Sequence, residues 1–199
     1  MNIYLLRHAQ SEGNRERRFY GVKNTPLSAH GRESLDVINA FFKDIAIDKI
    51  YCSPLERCVD TAKLSFGQTA KLNIDDGLKE INFGDWEGRG IKEIMQTYPE
   101  MWEAYQDDWK HMRFPNGDAI EDYQKRAQET MARILDETEE NATIALVSHN
   151  GFIKSVLSYL LAGDASLTDR LSVQNATVNW VIREDGETKL KLLNYLQRL

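Results

Sequence analysis

Thr143-Ile144-Ala145-Leu146-Val147-Ser148-His149-Asn150-Gly151-Phe152-Ile153-Lys154-Ser155-Val156-Leu157 is an apolar run, a short polar turn and a second, longer apolar run. Residues 143–147 form an uninterrupted apolar stretch, the pattern of a strand covered on both faces. Residues 152–161 have the length and composition of the helix that follows. Residues 3–6, Ile-Tyr-Leu-Leu, repeat the first half of this pattern and lead directly into Arg7-His8. Each strand therefore delivers a histidine just past its carboxyl end. In an open α/β sheet that is where ligands bind.

Outward from these two segments the alternation continues. Residues 47–52 read as another strand. Ser53-Pro54-Leu55-Glu56 reads as a helix start, with Ser53 as cap, Pro54 in the first turn and Glu56 closing a capping box. Residues 70–74 are a weaker strand, and residues 35–42 have the apolar spacing of a helix. A long amphipathic helix is expected from Asp118 to about Glu139, with Ile120, Tyr123, Ala127, Met131, Ile134 and Leu135 near one face. Residues 178–183 and 190–195 flank Glu184-Asp185-Gly186-Glu187, a hairpin turn. Strands alternating with helices predict an α/β fold whose mostly parallel sheet is covered on both faces. One domain over residues 1–199 is expected. Residues 84–117 break the alternation: they are aromatic-rich and helical in spacing, and are expected to pack over the sheet end near the site.

The 199 residues suffice for one substantial core. Hydrophobic residues at 42% and charged residues at 28% are globular values. A net charge of -6 disfavours nucleic acid as a partner. No apolar run is long enough for a bilayer, and the opening residues lack the basic and apolar regions of a signal peptide. A cytoplasmic protein without membrane contact is expected. Its two cysteines, Cys52 and Cys58, are read as reduced thiols, and nothing has zinc-ligand spacing. Oligomeric state is left open.

The chemistry lies in four places. His8 is a candidate nucleophile, because a neutral imidazole can attack phosphorus, and the adjacent Arg7 disfavours its protonation. Arg57 falls in the first turn of the helix after the second strand, where free N–H groups already favour anions. Its planar paired donors suit phosphate oxygens. His149 is placed to hydrogen-bond phosphoryl oxygens as charge redistributes. An acid/base is expected in Leu78-Lys79-Glu80-Ile81-Asn82-Phe83-Gly84-Asp85-Trp86-Glu87-Gly88, with Ile81, Phe83 and Trp86 near enough to desolvate a carboxyl. Glu80, Asp85 and Glu87 are equal contenders on these grounds. A thiol phosphatase needs Cys, five residues, then Arg, and Cys52 and Arg57 are one residue too close. An aspartyl-phosphate enzyme needs Asp-x-Asp, and Asp75-Asp76 is adjacent.

Leu6-Arg7-His8-Ala9-Gln10-Ser11-Glu12-Gly13-Asn14 resembles the Arg-His-Gly signature of the histidine phosphatase (phosphoglycerate mutase-like) superfamily. Ser53-Pro54-Leu55-Glu56-Arg57-Cys58-Val59-Asp60-Thr61-Ala62 resembles its second motif, residues 80–88 its acidic motif, and Ser148-His149-Asn150-Gly151 its second-histidine motif. The four occur in order over nearly the whole chain. The resemblance implies a three-layer α/β/α sandwich with a mixed sheet. It also implies a phosphatase that hydrolyses a small organic phosphate monoester through a phosphohistidine, with no metal and no cofactor. His8 would be the phosphorylated nucleophile and Glu80 the acid/base. His149, Arg7, Arg57 and, in an assisting role, Asn14 would hold the phosphoryl group. Sugar phosphates, phosphoserine, nucleotides, phosphoglycerate and α-ribazole phosphate all stay open as substrates.

Two rivals bear weighing. A phosphoglycerate-type mutase would carry a longer insertion with basic residues before His149, and this chain is short there. A silent phosphate-binding regulatory module would not be expected to retain both histidines, both arginines and the glutamate. Two departures from the family pattern are visible. Ala9 stands where glycine is usual, so the loop is expected to shift slightly. Pro115-Asn116-Gly117-Asp118-Ala119 lacks the Glu-Ser that often follows this turn. Packing is the default use of the aromatic residues of 84–117, and some of them, together with Arg15-Glu16-Arg17-Arg18, are expected to contact the leaving group.

Overall fold

The computed structural model describes residues 1–195. Six strands among them, β1 (Asn2–Arg7), β2 (Lys49–Cys52), β3 (Leu72–Ile74), β4 (Thr143–Ser148), β5 (Val178–Glu184) and β6 (Glu187–Tyr195), form one sheet in the order β3-β2-β4-β1-β5-β6. The helices are α1 (Glu12–Arg15), α2 (Ala29–Glu33), α3 (Asp36–Phe42), α4 (Glu56–Phe66), α5 (Ile91–Thr97), α6 (Pro99–Asp108), α7 (Ile120–Asp136) and α8 (Asn150–Ala162). The β1–β4, β4–β2 and β2–β3 pairs are parallel, while β1–β5 and β5–β6 are antiparallel. The sheet is therefore mixed, with a parallel half and an antiparallel edge.

Each central strand is apolar throughout because it serves two cores. Ile3, Leu5, Ile144 and Leu146 face one side and pack with Tyr123, Met131 and Ile134 of α7 and with Phe152 and Val156 of α8. Tyr4, Leu6, Ala145 and Val147 face the other and pack with Ile38 and Phe42 of α3 and with Cys58 and Ala62 of α4. Helix, sheet and helix make three layers. Burying a side chain such as Leu5 or Val147 contributes roughly 1.5–3 kcal/mol, so polar residues are confined to the strand ends.

Register sets the site. Leu6 lies opposite Val147 and Arg7 opposite Ser148, so His8 and His149 leave neighbouring strands side by side. Cys52 also pairs with Val147, which brings Ser53 to the same end from a third strand.

Several element bounds differ from the sequence reading. Helix α4 starts at Glu56 with Leu55 at its N-cap and no side-chain cap. Ser53 is therefore not the cap, and no capping box forms with Glu56; its hydroxyl is used elsewhere. Strand β3 begins at Leu72, and α7 covers Ile120–Asp136, inside the wider span expected. Strand β6 begins at Glu187 because the turn is only Asp185-Gly186, with φ of 51° and 79°. Two consecutive positive φ values make the two-residue turn whose twist matches the flanking strands.

Residues 84–117 hold α5 and α6. Trp86, Ile94, Met112 and Phe114 of this segment are buried in the same cluster as Ile3 and Leu5. Phe83, Trp86 and Phe114 pack edge to face, with centroids 5.0–5.3 Å apart in the pairs that involve Phe114. Most of the aromatic surface is spent on this packing. No helix among the described residues is long and apolar enough to cross a membrane.

Candidate active site

His8 is 4% exposed and its backbone is fixed on both sides. Its N–H donates to Ser148 O at 3.0 Å, and its carbonyl accepts from Asn175 Nδ2 at 2.9 Å. Its Nδ1 lies 2.8 Å from Ala9 O. A carbonyl only accepts, so Nδ1 carries the proton and Nε2 carries the lone pair. Arg57 Nε donates to that Nε2 at 3.3 Å. Burial first, then the charges of Arg57 and Arg7, hold the His8 imidazole well below the ordinary histidine value. The site thus presents a neutral imidazole with a defined tautomer and a directed lone pair.

His149 is fully buried, with its ring 5.2 Å from that of His8. Its Nε2 is 2.8 Å from Ser53 Oγ and 3.4 Å from Cys58 Sγ. Burial, Arg57 and His8 hold it well below the usual range too. Burial likewise pushes the Cys52 thiol up to about 12 and raises Cys58. Both cysteines are therefore protonated, which leaves them poor nucleophiles.

Two arginines frame the imidazoles. Arg57 is 1% exposed, and its amino groups donate to Gly21 O at 2.6 Å and Lys23 O at 3.1 Å. The carboxylate of Asp60, one turn along α4, pairs with Arg32 and leaves Arg57 to these carbonyls. Arg7 donates to Val173 O at 2.6 Å, and its Nε is buried without a partner. A buried, unpaired guanidinium N–H carries a desolvation cost that an incoming anion relieves. Asn14 Oδ1 accepts from Ser11 N at 3.1 Å and Asn175 Nδ2 at 3.2 Å.

The three competing carboxylates separate clearly. Glu80 is 8% exposed. Its Oε1 accepts from Tyr123 Oη and, at 3.1 Å, from Ile81 N; its Oε2 accepts from Gly151 N at 3.1 Å. Gly151 is two residues past His149, so Glu80 is tied to the second-histidine segment. A Cβ at Gly151 would lie 2.6 Å from Glu80 Oε1 and 2.9 Å from Tyr123 Oη, so only glycine allows this approach. Glu87 accepts instead from Gly21, Val22, Lys23 and Phe83 backbone N–H groups. Asp85 holds Asn116. Of the three, Glu80 is the carboxylate bonded to the His149 strand end.

Glu80 also lines a cleft of about 460 Å³. Ile81, Phe83, Tyr105, Trp109, Phe114 and Tyr123 form its apolar wall, and Lys154 and Asp169 add charge. Tyr105, Trp109 and Phe114 come from residues 84–117. Other members of that segment do not contribute: Trp86 is wholly interior, and His111 is exposed against Asp108 and Glu121. The expectation for residues 15–18 is corrected. Arg15 pairs with Glu12, and Arg18 binds Gly88 O and Glu93. The first pair lies within α1, the second ties Arg18 to the first turn of α5 and the segment before it, and none of residues 15–18 is among those lining the cleft described above.

Sequence reasoning missed several participants. Tyr123 reads in the sequence only as part of the α7 core stripe, yet its hydroxyl reaches Glu80. Burial and Glu80 raise its ionisation well above the usual phenol value, so it stays a donor. Arg126, one turn on, donates to Gly77 O and Lys79 O and shapes the approach to Glu80. Asn175 and Thr61 fix the β1 exit, the latter by accepting from Ala9 N at 3.0 Å. Ala9 keeps a negative φ, so a Cβ is tolerated there. The Arg126 and Tyr123 positions follow helical spacing from each other, which is the one signal that could have paired them.

The electrostatics yield a direct expectation. In an imidazole NMR titration, His8 and His149 are expected to stay neutral to below pH 6.5, whereas exposed His111, bonded to Asp108, is raised above it. A His8 midpoint at or above 6.5 would contradict the environment described.

Comparison with known proteins agrees with this geometry. Residues 3–196 match the profile of the histidine phosphatase superfamily (branch 1). The adenosylcobalamin/α-ribazole phosphatase of Escherichia coli K12 is 32% identical over 186 residues, covering 93% of this chain and 86% of that one. Phosphoserine phosphatase 1 of Hydrogenobacter thermophilus is 26% identical, covering 98% and 92%. A crystal structure of the α-ribazole phosphatase from Shigella flexneri superposes with a TM-score of 0.93 at 28% identity, over 98% of this chain and 96% of that one.

Proposed function

The chain belongs to the histidine phosphatase superfamily (branch 1) and is a phosphatase of small organic phosphate monoesters, and we propose that it works through a phosphohistidine on His8. The observation that supports this is the neutral Nε2 of His8, bonded to the Arg57 guanidinium, in the field of Arg7 and beside His149. In the first step the Nε2 lone pair forms a P–N bond as the ester P–O bond breaks. Glu80, in its acid form, gives its proton to the departing alkoxide. In the second step Glu80 takes a proton from water, whose oxygen attacks phosphorus. The P–N pair returns to Nε2 and inorganic phosphate leaves.

Charge builds on the phosphoryl oxygens during both transfers. Arg7 Nε, the Arg57 guanidinium and His149 are the groups that meet this charge, and the bonds that already hold them limit reorganisation in the transition state. With Asn14 Oδ1 engaged, its amide NH₂ is the end that assists. Positive charge of this kind is what a divalent metal supplies in other phosphoryl-transfer enzymes. We place the protein in the cytoplasm, consistent with two buried free cysteines.

The aromatic cleft beside Glu80 is the place for the leaving group. Its wall suits a flat ring, and two of the relatives named above are named α-ribazole phosphatases. An aromatic-base nucleoside monophosphate is therefore the preferred substrate class. Burying one ring adds about 2 kcal/mol of selective binding. In excess EDTA, kcat/KM for α-ribazole 5′-phosphate should exceed that for phosphoserine by about 10-fold or more. A strict metal requirement would overturn the site assignment, and a preference for phosphoserine would overturn the substrate class.

The same reading predicts an effect of the wall itself. Trp109→Ala should lower kcat/KM about 10-fold for the aromatic substrate and under about 2-fold for phosphoserine. Equal losses on both would return Trp109 to a packing role.

A further inference from the structure

Glu87 shares the acidic motif with Glu80, yet the mechanism makes no use of it. We propose that Glu87 is a positioning residue for Arg57, acting through the backbone of residues 21–23.

Its carboxylate accepts from Gly21 N at 3.0 Å, Val22 N at 3.0 Å, Lys23 N at 3.3 Å and Phe83 N at 3.1 Å. Three of these donors, from residues 21–23, fix a loop that has no helix or strand of its own. The carbonyls of this same loop face the other way. Gly21 O and Lys23 O accept from the two amino groups of Arg57, whose Nε reaches His8. The peptide joining Gly21 to Val22 therefore has its N–H on the anion and its C=O on the cation. Its dipole is aligned between them, which strengthens both bonds.

The arrangement solves a specific problem. A buried guanidinium needs acceptors, because unpaired burial is costly. A carboxylate placed directly on Arg57 would satisfy it, but would also compete with phosphate for the same donors. Interposing a peptide supplies neutral acceptors and keeps the anion out of the phosphate site. Glu87 still favours the charged guanidinium at a distance. The bond from Phe83 adds a second consequence. It locks the loop that holds Arg57 to the segment that carries Glu80, so the cation and the acid share one frame.

The inference rests on Arg57 holding the phosphoryl group, and the test separates the two claims. Four proteins are compared on p-nitrophenyl phosphate: wild type, Glu87→Gln, Arg57→Ala and the double variant. If Arg57 binds the phosphoryl group, Arg57→Ala alone lowers kcat/KM by at least about 100-fold. Glu87→Gln alone should lower it about 30-fold, the scale of a misplaced catalytic group. In the Arg57→Ala background the same change should cost under about 2-fold, since the group it positions is gone. Glu87→Gln should also move the His8 NMR midpoint upward as Arg57 withdraws. The other groups that act on or face His8 are Arg7 and His149, and Glu87 is bonded to neither. Should Glu87→Gln fail to fold, Glu87→Asp retains the charge with a shorter reach and enters the same cycle. A small effect of Arg57→Ala would refute the phosphate-binding role of Arg57. A large effect of Arg57→Ala with additive losses and an unmoved His8 midpoint would refute the relay and leave that role intact.

Discussion

His8→Ala is expected to lower kcat on every phosphomonoester by at least about 10⁴-fold, with the fold retained. The size of the loss follows from the absence of a substitute nearby. The Cys52 and Cys58 thiols are held protonated by burial, and Ser53 is wholly buried with its Oγ taken up by His149. Among the described residues, His8 is the one that presents an unprotonated nitrogen directly to Arg57. The guanidinium groups, His149 and Glu80 stay in place in the variant. Inorganic phosphate should therefore still bind, and its inhibition constant separates lost chemistry from lost structure. Residual turnover within about 10-fold of wild type would mean that another group attacks phosphorus.

Glu80→Gln is expected to act selectively. An alkoxide leaves poorly without a proton, so hydrolysis of an alkyl phosphate should fall about 10²–10⁴-fold. A p-nitrophenolate leaves unaided, so its ester should lose under about 10-fold in the same variant. The amide fits the same space: its oxygen can keep the bonds from Ile81 N and Tyr123 Oη, and only the bond from Gly151 N is lost. Equal losses on both esters would make Glu80 a phosphate-positioning group. The Glu87→Gln variant provides the contrast, since a misplaced Arg57 weakens phosphoryl binding whatever the leaving group. A selective loss at Glu87 in place of Glu80 would reverse the two assignments.

The parts of this molecule that sequence displays well are those with one-dimensional causes. Residues 143–147 and 3–6 read as strands because both of their faces are buried, and the polar residues after them read as strand ends. His8, His149 and Arg57 were visible for that reason. Ser53 shows the limit. Its position before Pro54 matches a capping pattern, yet the chain enters α4 two residues later, and the hydroxyl turns to His149. A side chain that can satisfy a local backbone N–H or a distant imidazole goes to the partner that burial would otherwise leave unpaired.

The choice among Glu80, Asp85 and Glu87 was illegible for a related reason. All three lie within eight residues, and what distinguishes them is contact with Gly151, Asn116 and Val22, which are distant in sequence. Tyr123 gave a period-correct core position and concealed a hydroxyl that reaches across the fold. The basic run at residues 15–18 misled because charge at a loop suggests a ligand, whereas Arg15 and Arg18 close intramolecular pairs. Composition alone could not divide the aromatics of 84–117 into the interior Trp86 and the cleft-lining Trp109, because both sit in helix-like spacing.

The central claim is a covalent phosphohistidine at His8. Rapid quenching of the enzyme with a ³²P-labelled monoester, followed by peptide mapping, tests it most directly. The expected result is a base-stable, acid-labile label on the peptide containing His8, formed and lost at rates that account for turnover, and absent in His8→Ala. Full turnover with no trapped label, or a label mapped to any other residue, would contradict the account.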